Sequence, residues 1–237
     1  LAPRLRVLAF DLRGRGLSDS PDTGYSMADH AADMLGAMDA LGIERVALGG
    51  HSFGGLLTYY LAAHHPERVE RAVVMDAPAV VDPTIIEQIQ PSLDRLERHF
   101  QSWDEYLAMV RQMPYYDGWE WQDELTEFYR SDVEVLDDET VRSRCRPGHI
   151  GQAVEGTLQI DWPALVATIS QPTLLIRAAA PFGPPGYPPI VPEDKAQQTL
   201  ALLQDGRLVT FEGNHITFLF GEGAADVADT IVEFVTK

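Results

Sequence analysis

One serine of the chain lies in a pattern that could make it a nucleophile. Gly50-His51-Ser52-Phe53-Gly54 matches G-x-S-x-G, with a strand-like run before it, Arg45 to Gly50, and a helical run after it, Phe53 to His64. The pattern alone is short, but this strand–turn–helix setting holds a serine hydroxyl above the edge of a sheet. We therefore predict that Ser52 attacks an acyl carbon.

The turn around Ser52 also predicts where an oxyanion would bind. The following helix begins at Phe53, so its first N–H groups are free and carry the positive end of the helix dipole. We expect the Phe53 N–H to donate one hydrogen bond to the oxyanion. Gly50 and Gly54 are expected to permit a close approach of neighbouring backbone that a side chain would block.

A nucleophilic serine needs a base, and His215 is the histidine best placed to serve. It follows a strand-like run and a glycine in Phe211-Glu212-Gly213-Asn214-His215, late in the chain. Imidazole accepts a proton near neutral pH and can return it to a leaving group. The other histidines lie on helices, within the serine turn or in the middle of the chain: His30, His51, His64, His65, His99 and His149.

The elements that must position these residues alternate between strand-like and helical segments. Before the middle of the chain the segments are Leu5–Phe10, Ser26–Leu41, Arg45–Gly50, Phe53–His64 and Arg71–Met75; after it they are Pro172–Arg177, Glu193–Leu203, Arg207–Phe211 and Ala224–Val235. Ser26 is a candidate helix cap and Gly42 a candidate stop. This alternation predicts an α/β fold, with a mostly parallel sheet flanked by helices.

The middle of the chain, residues 81–169, predicts a different structure. It reads as helices rich in aromatic and acidic residues, and we call it the cap segment. The prediction is a core of residues 1–80 and 170–237, with the cap segment inserted between two strands of the sheet. Tyr116 and Trp119 either line an apolar pocket or form the segment's own core. His149 and His51 are further candidates for contact with a substrate.

Composition narrows the class of protein. The 237 residues include 36 acidic and 18 basic side chains, for a formal net charge of −18, which disfavours nucleic acid and anionic membranes as partners. A single cysteine, Cys145, fits a reducing, cytoplasmic location. We predict no metal and no cofactor, since neither a ligand cluster nor a nucleotide fingerprint is present.

Taken together, these motifs resemble the α/β-hydrolase superfamily. The series is Asp11-x-Arg13-Gly14-x-Gly16-x-Ser18-Asp19, the serine turn, His65-Pro66-Glu67-Arg68-Val69, Pro172-Thr173-Leu174-Leu175-Ile176 and Gly213-Asn214-His215. The likeness covers nearly the whole chain outside the cap segment. It implies a Ser-His-acid triad and a helical cap over the substrate pocket.

The chain departs from the family pattern in the place of the triad acid. The usual place follows the Pro172–Arg177 strand, but no carboxylate occurs between Arg177 and Glu193. The family's other placement follows the strand after the serine helix, where this chain has Asp76. Asp76 is therefore the candidate acid. The alternatives are that Glu193 or Asp194 serves, that no acid is used, and that Asp76 only caps a turn.

The resemblance also begins at the family's fourth strand. The earlier strands, and the loop that usually supplies a second oxyanion N–H, have no counterpart here, so Leu5–Phe10 must pair with Arg45–Gly49 or leave a gap in the sheet. This N-terminally incomplete pattern suggests a fragment of a longer protein. Loss of one oxyanion donor costs a factor on the order of 10² to 10³ in rate.

The sequence thus predicts a serine hydrolase of the carboxylesterase type, acting on an ester, lactone or related small acyl compound. The predicted roles are Ser52 as nucleophile, His215 as base, Asp76 as orienting acid and the Phe53 N–H as oxyanion donor. Carbon–carbon bond hydrolysis and peracid formation use the same triad and stay open. The alternative class is a degenerate, non-catalytic protein that binds a small molecule in the same pocket.

Overall fold

The computed structural model describes residues 1–80, 85–221 and 223–237 of the chain. The strands and main helices are α1 (Met27–Ala40), β1 (Val46–His51), α2 (Phe53–His64), β2 (Val69–Met75), α3 (Ile85–Leu96), β3 (His99–Phe100), α4 (Trp103–Arg111), α5 (Asp123–Ser131), β4 (Val133–Val135), β5 (Val141–Ser143), α6 (Pro147–Leu158), α7 (Trp162–Val166), β6 (Thr173–Ala178), α8 (Glu193–Leu202), β7 (Gly206–Phe211) and α9 (Gly223–Val235). Short 3₁₀ turns lie at Pro114–Tyr116 and Thr217–Leu219.

Four of the strands form one parallel sheet in the order β1-β2-β6-β7. Successive residues of its strands face opposite helical layers, as the two-residue period of a strand requires. Val74 and Leu175 pack in the layer that includes α1, α2 and α7, whereas Val73 and Leu174 pack in the layer with α9. The predicted α/β fold, with a parallel sheet flanked by helices, is confirmed.

Capping residues in the sequence predicted where α1 begins and ends. Ser26 caps α1 with a capping box, in which its hydroxyl accepts from the Asp29 N–H and the Asp29 carboxylate accepts from the Ser26 N–H. Gly42 follows the end of the same helix at φ 66°, a backbone conformation that favours glycine. The predicted strands and helices of the core agree with the observed ones to within one or two residues, apart from the first.

The prediction of a strand at Leu5–Phe10 is wrong. These residues form no strand, and Val7, Leu8 and Phe10 are exposed to solvent. A strand needs a neighbour that accepts and donates its backbone hydrogen bonds. Within the described residues β1 pairs only with β2, so of the two alternatives, direct pairing with Leu5–Phe10 or a gap, the structure has no direct pairing.

The cap segment is not purely helical, which corrects a second prediction. Its described residues, from Ile85 onward, contain a small antiparallel sheet in the order β3-β5-β4. These strands have two or three residues each, too few to show a period in the sequence. The predicted boundary at residue 81 lies outside the described residues, and the division into core and cap remains an interpretation.

Within the described residues, no helix combines the length and apolar character needed to cross a bilayer.

Candidate active site

The turn between β1 and α2 presents Ser52 on a strained backbone. Ser52 has φ 55° and ψ −120°, which non-glycine residues rarely adopt. The turn is fixed to the neighbouring strand because the Ser52 N–H donates to the Met75 carbonyl at 2.9 Å. The serine hydroxyl is therefore held at the carboxyl end of the sheet.

The glycines of this turn do not share the steric role that the sequence suggested. A Cβ on Gly50 would lie 2.0 Å from the Gly54 carbonyl oxygen, so Gly50 is required for the close approach. A Cβ on Gly54 would meet nothing within 4 Å, which corrects the prediction for that residue. The second close approach is at Gly55, whose Cβ would lie 2.7 Å from the Cβ of Ala77.

A second strained turn carries Asp76 at the end of β2. Asp76 has φ 48° and a side chain that is fully shielded from solvent. Its N–H donates to the Ile176 carbonyl at 2.7 Å, and its Oδ1 accepts from the Ala178 N–H at 3.0 Å. Both bonds join the turn to β6, so the carboxylate has a fixed direction.

His215 joins the two turns. Its Nδ1 lies 2.7 Å from Asp76 Oδ2, and its Nε2 lies 3.0 Å from Ser52 Oγ. An ionised carboxylate only accepts hydrogen bonds, so Nδ1 carries the proton and Nε2 is left to accept from the serine hydroxyl. The structure thus brings three predicted residues into hydrogen-bonding distance in the order acid, imidazole, hydroxyl.

The loop that presents His215 is itself fixed by polar contacts. The Asn214 carbonyl Oδ1 accepts from the N–H groups of Ile216 and Thr217, at 3.0 and 3.1 Å. The His51 Nε2–H donates to the His215 carbonyl at 2.8 Å. Burial first, and repulsion from His215 second, lower the pKa of His51 well below its ordinary value. His51 is therefore a neutral donor that supports the loop.

Phe53 is the first residue of α2, and its N–H donates to no backbone acceptor in the described parts of the chain. The next two bonds of the turn run from the Gly55 and Leu56 N–H groups to the Ser52 carbonyl, at 2.8 and 3.1 Å. An N–H left free at a helix start, next to a nucleophile, is suited to an oxyanion.

A cavity of about 490 Å³ opens above Ser52 and His215. Its walls are mostly apolar, with contributions from both the core and the cap segment: Phe53, Leu56, Ala77, Ile85, Ile89, Ile150, Val154, Leu158 and Trp162. Arg15 adds a positive charge to the wall. A cavity with an apolar wall and a few convergent polar groups is typical of a small-molecule site.

A second cleft of similar volume, about 500 Å³, lies beside the loop of Gly14 and Gly16. It is lined by polar residues of the cap segment that include Arg142, Arg144 and Arg146. Neither Ser52 nor His215 lines it. We therefore place the candidate site in the apolar cavity, where the nucleophile is.

The four residues predicted to contact a substrate are not among the described residues that line the apolar cavity. His51 supports the His215 loop, and Tyr116 packs in the cap with its hydroxyl 2.6 Å from that of Tyr129. Trp119 is 44% exposed. His149 is buried against Tyr25, with Nδ1 2.9 Å from the tyrosine hydroxyl. The aromatic residues of the cap segment thus form mainly that segment's own core.

The alternative acids lie elsewhere. Glu193 Oε2 pairs with Arg177 Nη1 at 3.1 Å, and the exposed Asp194 lies 3.7 Å from Lys195 Nζ. Neither carboxylate contacts His215 in the described structure.

Two features of the site escaped the sequence analysis. Arg15 in the wall was not singled out, although it follows the first strand-like run by only a few residues. The second is the wall that α6 contributes through Ile150, Val154 and Leu158. Their four-residue spacing puts them on one helix face, and it was the available signal.

No group of three or more His, Cys, Asp or Glu residues within the described parts could hold a metal ion.

The chain belongs to the α/β-hydrolase fold family, whose family model matches residues 1–222. A 2-hydroxymuconate semialdehyde hydrolase from Pseudomonas putida is 46% identical over 79 residues, which cover 33% of this chain and 28% of that protein. A 2-(acetamidomethylene)succinate hydrolase from Mesorhizobium japonicum is 31% identical over 111 residues, covering 46% of this chain and 40% of that protein. The matches thus span well under half the length of either relative.

At the level of the fold, the likeness to solved structures extends over most of the chain. The crystal structure of an E-2-(acetamidomethylene)succinate hydrolase superposes with a TM-score of 0.79 and 22% identity, covering 95% of this chain and 80% of that one. At this level of identity the likeness shows a shared fold alone.

Proposed function

We propose that this protein is a serine hydrolase that cleaves a carboxylic ester, lactone or related acyl substrate through an acyl-enzyme on Ser52. The observation that carries the proposal is the continuous series of contacts from Asp76 Oδ2 to His215 Nδ1 and from His215 Nε2 to Ser52 Oγ. The series ends beneath an apolar cavity that can hold the acyl group. Membership of a family with relatives named hydrolases supports the same class of reaction.

In the proposed reaction His215 Nε2 takes the Ser52 proton as Oγ attacks the acyl carbon. The carbonyl oxygen becomes an oxyanion and accepts a hydrogen bond from the Phe53 N–H. When the tetrahedral intermediate collapses, the bond to the leaving group breaks and His215 gives its proton to the leaving oxygen. Water then attacks the acyl-enzyme by the same route, which frees the acid and restores the serine.

Asp76 holds the imidazole in the orientation that this reaction needs. Its carboxylate is buried and accepts from both His215 and the Ala178 N–H. An ionised carboxylate in contact with Nδ1 stabilises the imidazolium that forms during attack. The proposal needs no cofactor, and its partner is the small acyl substrate alone. A cytoplasmic location, suggested by the single cysteine, remains part of the proposal.

The test is turnover of a panel of p-nitrophenyl esters and simple lactones by the chain and by Ser52→Ala. We expect ester hydrolysis with an initial burst of nitrophenol, an acylated protein in the quenched reaction, and acyl mass on the peptide that contains Ser52. A binding protein with the same pocket would bind these esters equally well in Ser52→Ala and would accumulate no acylated form. That result from folded protein would replace the hydrolase proposal.

A further inference from the structure

Arg15 is a cation in the wall of the candidate site. Apart from Asp76 and His215, it is the only residue with an ionisable side chain among the described residues that line the cavity. Its guanidinium carbon lies 5.3 Å from the centre of the Phe53 ring, and the side chain is half-buried. Because Phe53 lines the same cavity, this positive charge lies at the cavity wall beside the Phe53 ring.

No carboxylate pairs with Arg15 in the described parts of the chain. Four other arginines whose side chains are at most 20% exposed each pair with an acid: Arg13 with Asp33, Arg68 with Asp39, Arg95 with Asp132, and Arg177 with Glu193. The chain carries 36 acids against 18 bases, so the lack of an acidic partner for Arg15 does not come from a shortage of acids. Removing a cation from water without a counter-charge is costly.

The contact that Arg15 does make leaves its charge uncompensated. Its Nη1 donates to Cys145 Sγ at 3.4 Å. Burial is the main cause that raises the pKa of the Cys145 thiol, so the thiol stays neutral and is a weak acceptor. The guanidinium therefore keeps N–H groups for a stronger acceptor.

We propose that Arg15 binds a carboxylate of the substrate, so that the preferred substrates are acyl compounds with an apolar chain and a second, free carboxylate. This inference rests on the proposed function. A guanidinium presents paired N–H donors that fit the two oxygens of a carboxylate. Apolar residues that line the same cavity, among them Ile85, Ile150 and Val154, would contact the chain between the acyl group and the carboxylate.

The negative net charge of the chain makes Arg15 more important for selecting a substrate that carries a carboxylate. A net charge of −18 repels anionic substrates at long range, and salt screens that repulsion. Selection of a carboxylate must therefore come from a contact inside the cavity. Arg15 is the described residue that can supply it.

The experiment compares two esters of equal length, p-nitrophenyl hexanoate and mono-p-nitrophenyl adipate, in which a carboxylate replaces the terminal methyl group. We measure kcat/KM for both with the wild-type chain, Arg15→Gln, Arg15→Lys and Arg6→Gln. Arg6 is an exposed arginine of the 5–10 segment, so Arg6→Gln matches the change in net charge.

We expect Arg15→Gln to lower the ratio of adipate to hexanoate kcat/KM by tenfold or more, because a charge-assisted pair is lost. Arg15→Lys should lower the ratio less, since the charge stays but the paired donors do not. Arg6→Gln should leave the ratio unchanged. Equal loss on both esters in Arg15→Gln would overturn the inference, because Arg15 would then act without regard to the carboxylate.

A binding measurement separates this inference from the proposed function. Trp162 lies in the cavity wall, so its fluorescence can report binding of monomethyl adipate and methyl hexanoate to Ser52→Ala. The inference predicts that Arg15→Gln in this background weakens adipate binding tenfold or more and hexanoate binding far less. If the wild type hydrolyses neither ester but this binding pattern holds, the hydrolase proposal fails and the carboxylate site stands. Binding of adipate that is insensitive to Arg15 rejects the site, whatever the turnover.

Discussion

Two buried histidines contact the Ser52–Phe53 turn, but they differ in the hydrogen bonding of their ring nitrogens. Both ring nitrogens of His215 have partners, Asp76 on one side and Ser52 on the other. The His30 ring is completely buried on α1, and within the described residues neither of its nitrogens has a hydrogen-bond partner. It packs edge-on against Phe53, at 5.0 Å between ring centres.

The difference shows that a buried imidazole can either be hydrogen-bonded at both nitrogens or pack as an uncharged ring. At the ends of the strands, strained turns and backbone contacts give His215 a defined tautomer and direction. On α1, burial first and repulsion from Arg15 and Arg13 next lower the pKa of His30 to about 4. His30 is therefore a neutral ring that supports Phe53 by packing, while His215 is arranged to move a proton.

The largest expected effect is the difference in kcat between variants of the two histidines. His215→Ala removes the base, and we expect kcat on p-nitrophenyl esters to fall by a factor on the order of 10⁵ to 10⁶. His30→Phe keeps an aromatic ring against Phe53 and should retain most of the activity. Steady-state kinetics on both variants decide the comparison. Equal losses in the two would mean that His215 has no special part in the reaction.

The second effect concerns the acid that orients His215. Asp76→Asn keeps an oxygen for the Ala178 N–H but cannot accept the Nδ1 proton as a carboxylate does, so we expect kcat to fall by about 10⁴. Asp194→Asn changes an exposed acid that contacts Lys195 and serves as the matched control. Full activity in folded Asp76→Asn would reassign the acid.

The strained turn itself can be tested by stability. Gly50→Ala places a Cβ 2.0 Å from the Gly54 carbonyl oxygen, and we expect the free energy of unfolding to fall by about 3 kcal/mol or more. Gly54→Ala meets no atom within 4 Å and should change it by less than about 1 kcal/mol. Urea denaturation of the two variants measures the difference. Similar losses in both would contradict the description of the turn.

The smallest effect is the pH dependence that His30 imposes on stability. Unfolded His30 binds a proton below its ordinary pKa of 6.5, whereas the folded residue resists protonation down to about 4. The free energy of unfolding should therefore decrease as pH falls from about 6.5 to 4, by about 1 to 3 kcal/mol from this residue. His30→Leu should remove that part of the slope. An unchanged slope in His30→Leu would show that His30 is not held neutral.

Most helices and strands of the core could be predicted from the sequence, because residues close together in the chain determine where they begin and end. Ser26 lies in a capping box, which marks the start of α1. The serine turn lies between an apolar strand and a helix, and both neighbouring elements support its prediction. The same local reasoning failed at Leu5–Phe10. An apolar run shows that a strand can form, but only the presence of a neighbouring strand decides whether it does.

The candidate site was predictable in part. The places of Ser52 and His215 followed from motif and chain order, and Asp76 followed from the resemblance to the family. Arg15 and the α6 wall were not assigned to the site, because the sequence does not show how the cap segment packs against the core. For Tyr116 and Trp119 the sequence left open whether they line the pocket or form the core of the cap segment, for the same reason.

Labelling with a fluorophosphonate tests the central claim most directly, because the reagent modifies a serine only when its hydroxyl is activated. Intact mass and peptide mapping would be compared for the wild-type chain, Ser52→Ala and Ser131→Ala, which changes an exposed serine of α5. We predict a single label on Ser52, retained in Ser131→Ala and lost in Ser52→Ala. Folded wild-type protein that takes no label, or takes it elsewhere, would contradict the claim that Ser52 is an activated nucleophile.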